Sequence, residues 1–355
     1  MTAFPAPARR AALVIAVLLA IVTGACGSST PTPSAVTPGC GATATFILAN
    51  PGGLSCLDES ARSIGKLAKL PDQSAPSTPA LHPSGTVIAF ALTGQSDPKR
   101  GFGSDIYTVN VDGSNLKALL LHEDNNVFYA SPRFDASGNV LYVHRRSAII
   151  QNGAYVGNDD GIERIDLRTG QRTRLLKDGA DPSISPDGKM LALVHLKDGQ
   201  IDGLWRADID GSNAAPFLKT KDSFWYLQAP RFSPRSCQLI LSAAGHTVSD
   251  AGPGAPYALP RGPLTLASRL NPGLMAPRLA HLSIPSELFL IPCDGSSVKS
   301  VGQTGDDVVP AWSPDGSKIA YVGTGGFFVL DVTTQTTRTV AQGQDFFFGD
   351  LVWLR

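Results

Sequence analysis

The sequence has 355 residues, with 30 Lys or Arg and 30 Asp or Glu, so the formal net charge is zero. This balance gives no electrostatic support for binding nucleic acid or an acidic membrane surface, and we predict no nucleic-acid partner. Hydrophobic residues make up 43%, enough for a packed core, while 36 Gly and 27 Pro favour many tight turns between short strands.

The first 25 residues carry the features of an export signal. Arg9 and Arg10 are followed by an apolar run at 11–22, which is shorter than an ordinary membrane-spanning helix. The run leads into Val-Thr-Gly-Ala-Cys at 22–26, which resembles a bacterial lipobox. The resemblance implies cleavage before Cys26 and a diacylglyceryl group on its sulfur. The alternative is a plain secretory signal followed by an unrelated Cys.

Residues 26–41 are rich in Ser, Thr, Pro and Gly without an apolar period, which is typical of a flexible tether. Beyond Cys26 there are four more cysteines, an even number that predicts two disulfides in an exported chain. No Cys-x-x-Cys spacing occurs, which argues against a zinc or redox site. We predict no metal and no cofactor. The four cysteines are Cys40, Cys56, Cys237 and Cys293.

A repeated unit dominates the rest of the chain: a Pro, one or two apolar residues, a polar turn and an alternating apolar strand. In the clearest copies the turn is Ser-Pro-Asp-Gly, where Pro fixes φ, Asp bonds its own backbone and Gly accepts a positive φ. These turn residues are therefore assigned a structural role: Ser185, Pro186, Asp187, Gly188, Ser313, Pro314, Asp315 and Gly316. The five copies begin at Pro79, Pro132, Pro182, Pro230 and Pro310.

Each copy is followed by a second turn, often Asp-Gly, so each unit predicts four antiparallel strands. The first four anchoring prolines are about 50 residues apart, which fits one propeller blade of about 40–50 residues. Residues 42–70 hold three further strands, and residues 350–355 resemble the missing first strand. The sequence predicts an all-β six-bladed β-propeller of four-stranded antiparallel blades. Pairing of the C-terminal strand with the N-terminal blade is expected to close the ring.

The segments Pro-Ala-Trp-Ser-Pro-Asp-Gly-Ser-Lys-Ile-Ala-Tyr-Val at 310–322 and Asp-Ile-Tyr-Thr-Val-Asn-Val-Asp-Gly-Ser-Asn at 105–115 resemble the WD-like repeat of TolB-type six-bladed propellers. The resemblance covers roughly residues 42–355 and is most degenerate at 229–242, where Arg-Ser replaces Asp-Gly. It implies the propeller fold. It does not define an activity, because propellers carry many unrelated functions.

The degenerate unit also carries two cysteines and an insertion. Cys237 begins one strand and Cys293 ends its antiparallel neighbour, which predicts a disulfide between them, and Cys40–Cys56 follows by elimination. The insertion runs from about 243 to 285 and has too many prolines for a long helix. It is either a flexible flap or a lid over one face of the propeller. We expect the disulfide to clasp the base of this insertion.

The sequence contains no Gly-x-Ser-x-Gly elbow, P-loop or His-Glu-x-x-His motif. Arg133 and Arg231 stand at matched positions between the anchoring Pro and a Phe, and are either candidate anion-binding residues or structural pairs. His144 and His195 are out of register for a shared metal site and are interpreted as solvated or strand-end side chains. The acidic run at 158–161 is interpreted as a surface turn rather than a Ca²⁺ loop.

These features favour a non-enzymatic, lipid-anchored binding or scaffold protein on the extracytoplasmic face of the cell membrane. Its partner is expected to be a protein or glycan of the cell envelope. The alternative is a propeller enzyme that acts on a sugar or another small molecule through the central channel. The innermost strands, which are expected to line that channel, offer few groups for such chemistry: Arg133, Asp181 and Arg231.

Overall fold

The computed structural model describes residues 39–41, 43–248, 284–343 and 346–355. The predicted export signal, Cys26, most of the tether and most of the insertion lie outside the described residues. Within these ranges the chain forms strands and turns without an α-helix, so the prediction of an all-β chain is confirmed there. None of the described segments forms a helix able to cross a membrane.

The described residues form 26 strands. The second strand of a unit is often apolar along its whole length, as in Val-Ile-Ala-Phe-Ala-Leu at 87–92, because neighbouring sheets cover both of its faces. In chain order the strands are β1 Phe46–Asn50, β2 Gly53–Leu57, β3 Ser63–Lys66, β4 Ala75–Leu81, β5 Val87–Thr93, β6 Gly103–Asn110, β7 Lys117–Leu120, β8 Val127–Phe134, β9 Val140–Gln151, β10 Ala154–Asp166, β11 Arg172–Lys177, β12 Gly179–Ile184, β13 Met190–Lys197, β14 Gln200–Asp208, β15 Ala215–Pro216, β16 Asp222–Ser223, β17 Tyr226–Phe232, β18 Gln238–Ala244, β19 Thr247–Val248, β20 Glu287–Pro292, β21 Lys299–Gln303, β22 Ala311–Trp312, β23 Lys318–Gly323, β24 Gly326–Asp331, β25 Thr336–Gln342 and β26 Asp350–Trp353.

The strands assemble into sheets arranged as a propeller. Four sheets have four strands each: β26-β1-β2-β3, β12-β13-β14-β15, β17-β18-β20-β21 and β22-β23-β24-β25. The groups β4–β7 and β8–β11 instead share one eight-stranded sheet, and β16 pairs with β19 as a separate ribbon. The prediction of six separate four-stranded sheets is therefore wrong. The physical reason is a short parallel bridge from β6 to β8, which pairs Gly103 with Val127 and Ser104 with Phe128.

Hydrophobic clusters between neighbouring strand groups form the core. Leu54 of β2 and Phe90 of β5 belong to one such cluster, between the N-terminal sheet and the next group. At the other side of the N-terminal sheet, Phe46 packs on Phe327 of β24 with ring centroids 4.8 Å apart. Because each cluster joins consecutive groups face to face, the core is divided among the interfaces of the propeller.

The Ser-Pro-Asp-Gly turns form as predicted. In the copy at 313–316, the Ser313 hydroxyl donates to Asp315 at 2.6 Å, and Gly316 has φ +72°. The hydrogen bond from Ser313, together with those from Ser317, lowers the pKa of Asp315 to about 2. The copy at 185–188 repeats the Ser-to-Asp hydrogen bond at 2.6 Å. These hydrogen bonds hold the turns themselves, and the purely structural role assigned to these residues stays a prediction.

Successive strands in a sheet run in opposite directions, so their connections fall alternately at two ends of the propeller. The short-turn end carries the Ser-Pro-Asp-Gly and Asp-Gly turns. The long-loop end carries the β9–β10 hairpin, the ends of β18 and β20 between which the insertion lies in the chain, and the connections from one strand group to the next. The short-turn end therefore repeats similar turns from sheet to sheet, whereas the connections at the long-loop end vary.

Both predicted disulfides are present, Cys40–Cys56 and Cys237–Cys293. Cys237 precedes β18 and Cys293 follows β20, so their bond lies at the short-turn end, whereas the insertion leaves from the opposite ends of these strands. The expectation that this disulfide clasps the base of the insertion is therefore wrong. At the start of the insertion, β19 instead pairs with β16 in a two-stranded ribbon, in which Asp222 lies opposite Val248.

Replacing Cys237 and Cys293 by Ser should lower the free energy of unfolding by roughly 4 kcal/mol, because the bond joins residues 56 apart in the chain. The same change at Cys40 and Cys56, which are 16 apart, should lower it by roughly 3 kcal/mol. Urea unfolding of the two double variants measures both losses. A larger loss at Cys40–Cys56 contradicts the loop-length argument.

Candidate functional site

A run of hydrogen bonds links five innermost strands, β26, β4, β8, β12 and β17. The Asp350 carboxylate accepts the N–H of Thr78 at 2.6 Å, and Oγ1 of Thr78 accepts the N–H of Ser131 at 2.9 Å. The Ser131 hydroxyl donates to Asp181, whose Oδ2 accepts the N–H of Ala229 at 3.2 Å. All five residues are buried. We call them the inner belt.

The inner belt depends on a bulge in each of the strands β4, β8, β12 and β17. Thr78, Ser131, Asp181 and Ala229 have φ near +50°, and the pairing register shifts around each of them. A bulged residue is not paired in its own ladder, so its N–H is available to the neighbouring strand. Asp181, which the sequence placed on the channel wall, therefore uses its carboxylate to connect strands.

Changing Asp350 to Ala should lower the free energy of unfolding by about 1–3 kcal/mol, because the buried N–H of Thr78 loses its acceptor. Chemical denaturation measures the loss. Asp72→Ala is the matched control, since Asp72 is exposed. Equal stability of the two variants contradicts a structural role for the inner belt.

The candidate anion-binding residues lie on the same strands. Arg133 is paired with Tyr142, and Arg231 is paired with Ile240 at the equivalent position of its own sheet. In both, Nη1 donates to the carbonyl of the preceding Pro at 2.7 Å. Each guanidinium thus contacts the backbone of its own strand, and an anion-binding role for Arg133 and Arg231 stays a prediction.

The β9–β10 hairpin projects from the long-loop end. Its strands are 12 and 13 residues long. The neighbouring strand β8 pairs with β9 only as far as Ser147, and β11 pairs with β10 only as far as Gly161. The remainder of the hairpin therefore has no neighbouring strand on either side among the described residues.

Charged side chains brace one face of this hairpin, on the side of Tyr129 and the β4–β7 group. Arg145 contacts Glu123 at 2.6 Å, and Arg174 contacts Asp159 at 2.6 Å. The Tyr129 hydroxyl donates to Glu123 at 2.7 Å. Burial, and then the hydrogen bond to Glu123, raise the pKa of Tyr129, so this phenol stays protonated and acts as a donor.

The opposite face carries a buried ion-pair cluster. Asp160 accepts from His144 Nε2 and Arg146 Nε, each at 2.7 Å. Burial opposes ionisation of Asp160, but the hydrogen bond from His144 and the charges of His144 and Arg146 outweigh it, so the pKa of Asp160 is lowered. Asp160 lies inside β10, so the interpretation of 158–161 as a surface turn is wrong. His144 is buried rather than solvated.

Asp160→Asn should lower the free energy of unfolding at pH 7 by about 3 kcal/mol, because a buried charge cluster loses its only carboxylate. The lowered pKa means that Asp160 stabilises the fold above its unfolded pKa of about 4, and that this contribution disappears as pH falls through the folded pKa. Urea unfolding between pH 7 and pH 3 should show the two proteins converging in acid. A difference independent of pH contradicts this account.

Three further histidines contact a carboxylate at the long-loop end. His122 lies 2.6 Å from Asp105, and His195, paired with Asp202, lies at 2.8 Å. His246 meets Asp222 of the ribbon at 2.5 Å. Within the described ranges, no three His, Cys, Asp or Glu side chains come together as metal ligands. These histidines therefore form separate pairs that hold loops and strands.

The tip of the hairpin, residues 147–158, contains no charged side chain. Four large apolar residues there are about 40–50% exposed. Charged residues stand directly below the tip on both strands, at 145–146 and 159–160. The sequence reasoning missed this feature, although the uncharged stretch between Arg-Arg and Asp-Asp was a usable signal. The four apolar residues are Ile149, Ile150, Tyr155 and Val156.

No protein-family model and no curated protein matches the chain. Many solved structures do. TolB from Acinetobacter baumannii superimposes with a TM-score of 0.56 at 14% identity, over 87% of this chain and 66% of that one. A putative TolB from Agrobacterium tumefaciens gives a TM-score of 0.50 at 17% identity, over 77% of this chain and 83% of that one. The predicted TolB-like propeller fold is thereby supported.

A puromycin hydrolase also matches, with a TM-score of 0.50 and 12% identity, over 86% of this chain and 45% of the hydrolase. The chain spans less than half of that enzyme and about two thirds of the Acinetobacter TolB. At these identities the likeness establishes the fold and leaves both a binding and an enzymatic activity open.

Proposed function

We propose that the protein is a non-enzymatic binding module that engages a partner protein through the hairpin tip. The observation that carries this proposal is the exposure of Ile150, Tyr155 and Val156 on a hairpin that ion pairs hold at its base. Large apolar side chains grouped on a surface mark interaction sites. A braced hairpin loses little conformational entropy on binding, which favours affinity.

The charges below the tip favour a protein partner over an anionic lipid surface. Arg145, Arg146 and Arg174 all contact carboxylates, so the hairpin offers no excess of positive charge. Binding to anionic membranes draws on unneutralised basic residues. An apolar groove on a protein, bordered by polar groups, matches this tip better.

Several features support a binding module over an enzyme. The sequence has no nucleophile elbow. The carboxylate of Asp181 on the innermost strands is used in the inner belt. The histidines at the long-loop end each contact a different Asp and do not converge on one site. Catalysis through the channel requires several convergent polar groups.

We further propose that the propeller has six blades, with the eight-stranded sheet counted as two, and that β26 closes the ring. Two observations support this. β26 pairs with β1 from Phe46–Trp353 to Ala49–Asp350, and a hydrophobic cluster joins Leu351 of β26 to Val322 of β23. Six interfaces between consecutive strand groups each hold a hydrophobic cluster in the described residues.

The two disulfides fit an extracytoplasmic location, since such bonds persist in oxidising compartments. We propose that Cys26 carries the lipid anchor and that the partner, a protein of the cell envelope, is met there. Metabolic labelling with an alkyne fatty acid tests the anchor. The label should be incorporated into the native chain and be absent from Cys26→Ser.

Photo-crosslinking tests the binding proposal. A benzophenone amino acid in place of Tyr155 should give one discrete protein adduct in intact cells that make the protein. The same probe in place of Ile64 is the control, because Ile64 is similarly exposed on β3 in another sheet. Adding Ile150→Ser should remove the adduct without changing urea unfolding. Identical adducts from both positions, or lipid adducts alone, would overturn the proposal.

A further inference from the structure

The loop that joins β9 to β10 contains the only Asn-Gly pair in the sequence, at 152–153. Gln151 pairs with Ala154 across the loop, so the hairpin turns on Asn152 and Gly153 alone. Both residues have a positive φ, +51° and +78°, which fits a type I′ turn. Asn-Gly is favoured in such a turn for its conformation, but the same pair is also chemically reactive.

The backbone nitrogen of Gly153 is well placed to attack the side-chain amide of Asn152. A glycine has no side chain to obstruct its nitrogen, and a Cβ placed on Gly153 would have no atom within 4 Å. Both residues are exposed. Within the described ranges, neither the Asn152 side chain nor the Gly153 N–H is held by a hydrogen bond. The pair is therefore free to close a ring.

We propose that Asn152 is a site of spontaneous deamidation, which places a negative charge in the uncharged hairpin tip. The Gly153 nitrogen forms a bond to Cγ of Asn152, the bond from Cγ to the amide nitrogen breaks, and the proton of Gly153 leaves with ammonia. Water then opens the five-membered imide. Its hydroxyl joins one of the two carbonyl carbons, and its other hydrogen returns to the ring nitrogen. The products are aspartate and isoaspartate, whose carboxyl groups ionise at neutral pH.

Two other asparagines show why the reaction is assigned to Asn152. Asn115 is also exposed and has φ +55°, but it is followed by Leu116, whose branched side chain crowds the attacking nitrogen. Asn158, also in the tip, is half-buried and paired with Ala148 inside the β9–β10 ladder. Asn115 therefore matches Asn152 in exposure and φ and differs in the residue that follows.

The consequence for binding rests on the proposed function of the hairpin tip. The new carboxylate lies at the apex of the hairpin, between Ile150 and Tyr155 in the chain. A charge buried in an apolar interface without a partner is costly, so the partner should bind more weakly. Isoaspartate also adds a methylene to the main chain of the turn. Deamidation thus acts as a slow, irreversible switch at the tip.

Peptide mass spectrometry of the purified folded protein, incubated in mildly alkaline buffer, tests the modification. Asn152 should lose its amide at least about tenfold faster than Asn115, a difference of about 1.4 kcal/mol in activation free energy. Electron-transfer fragmentation should show both aspartate and isoaspartate at this position. Equal rates at Asn152 and Asn115 would overturn the proposal.

Asn152→Gln is the control that keeps an amide at the turn. It should not react on the same timescale, because its longer side chain would have to close a six-membered ring. Glutamine is compatible with the backbone there, since Gln73 and Gln335 have φ of +55° and +56° in this chain. Loss of the amide from this variant at the rate of the native chain would contradict the proposed mechanism.

Cross-linking from the benzophenone probe at Tyr155 tests the effect on the tip. Asn152→Asp should reduce the adduct at least about tenfold, whereas Asn152→Gln should retain it, with urea unfolding unchanged in both. An undiminished adduct in Asn152→Asp would overturn the effect on binding. An adduct absent from every variant would overturn the proposed function and this effect together, while the mass spectrometry would still decide the modification.

Discussion

The bulge N–H groups on the innermost strands are the constraint on which the contacts between neighbouring strand groups depend. Those of Thr78, Ser131 and Ala229 are buried and excluded from their own ladders, and the neighbouring strand supplies an acceptor for each. Two carboxylates, Asp350 and Asp181, take part, and their charge strengthens the bonds they accept. The inner belt stops at Ala229, whose methyl group accepts nothing. From β17 to the next innermost strand, β22, the connection is of another kind: Trp312 Nε1–H donates to the Arg231 carbonyl at 2.9 Å.

Local chemistry explains which parts of the fold could be read from the sequence. The Ser-Pro-Asp-Gly turns need only residues within four positions, so their structure was predictable. The bond Cys237–Cys293 was predictable because both residues border strands that the repeat had already located. The separation of this disulfide from the insertion depends on the direction of each strand, which the local sequence pattern does not show.

The long-range polar contacts could not be read in the same way. Asp160 contacts His144 because the pairing of β9 with β10 extends well beyond the usual length of a blade strand. The sequence at 158–161, taken by itself, resembles a turn. The inner belt joins residues from separate repeats, such as Thr78 and Asp350, whose side chains are ordinary in their own segments. The bridge from β6 to β8 likewise depends on how two groups approach each other.

The difference between the two ends of the propeller separates the repeated turns from the surface proposed for binding. At the short-turn end, similar turns recur from sheet to sheet. At the long-loop end, each strand group differs in its connection, and the hairpin tip is the largest departure among the described residues. Loops on a rigid scaffold can change without disturbing the core, which is how propellers of one architecture carry different activities.

The pairing of β26 with β1 has a consequence for how the fold is assembled. The sheet that contains β1, β2 and β3 takes its fourth strand from residues 350–353, far from β1 along the chain. A chain that lacks β26 leaves the edge of β1 open and the Thr78 N–H without its carboxylate. Damage at one segment of the chain therefore exposes a strand edge at a distant one to aggregation and proteolysis.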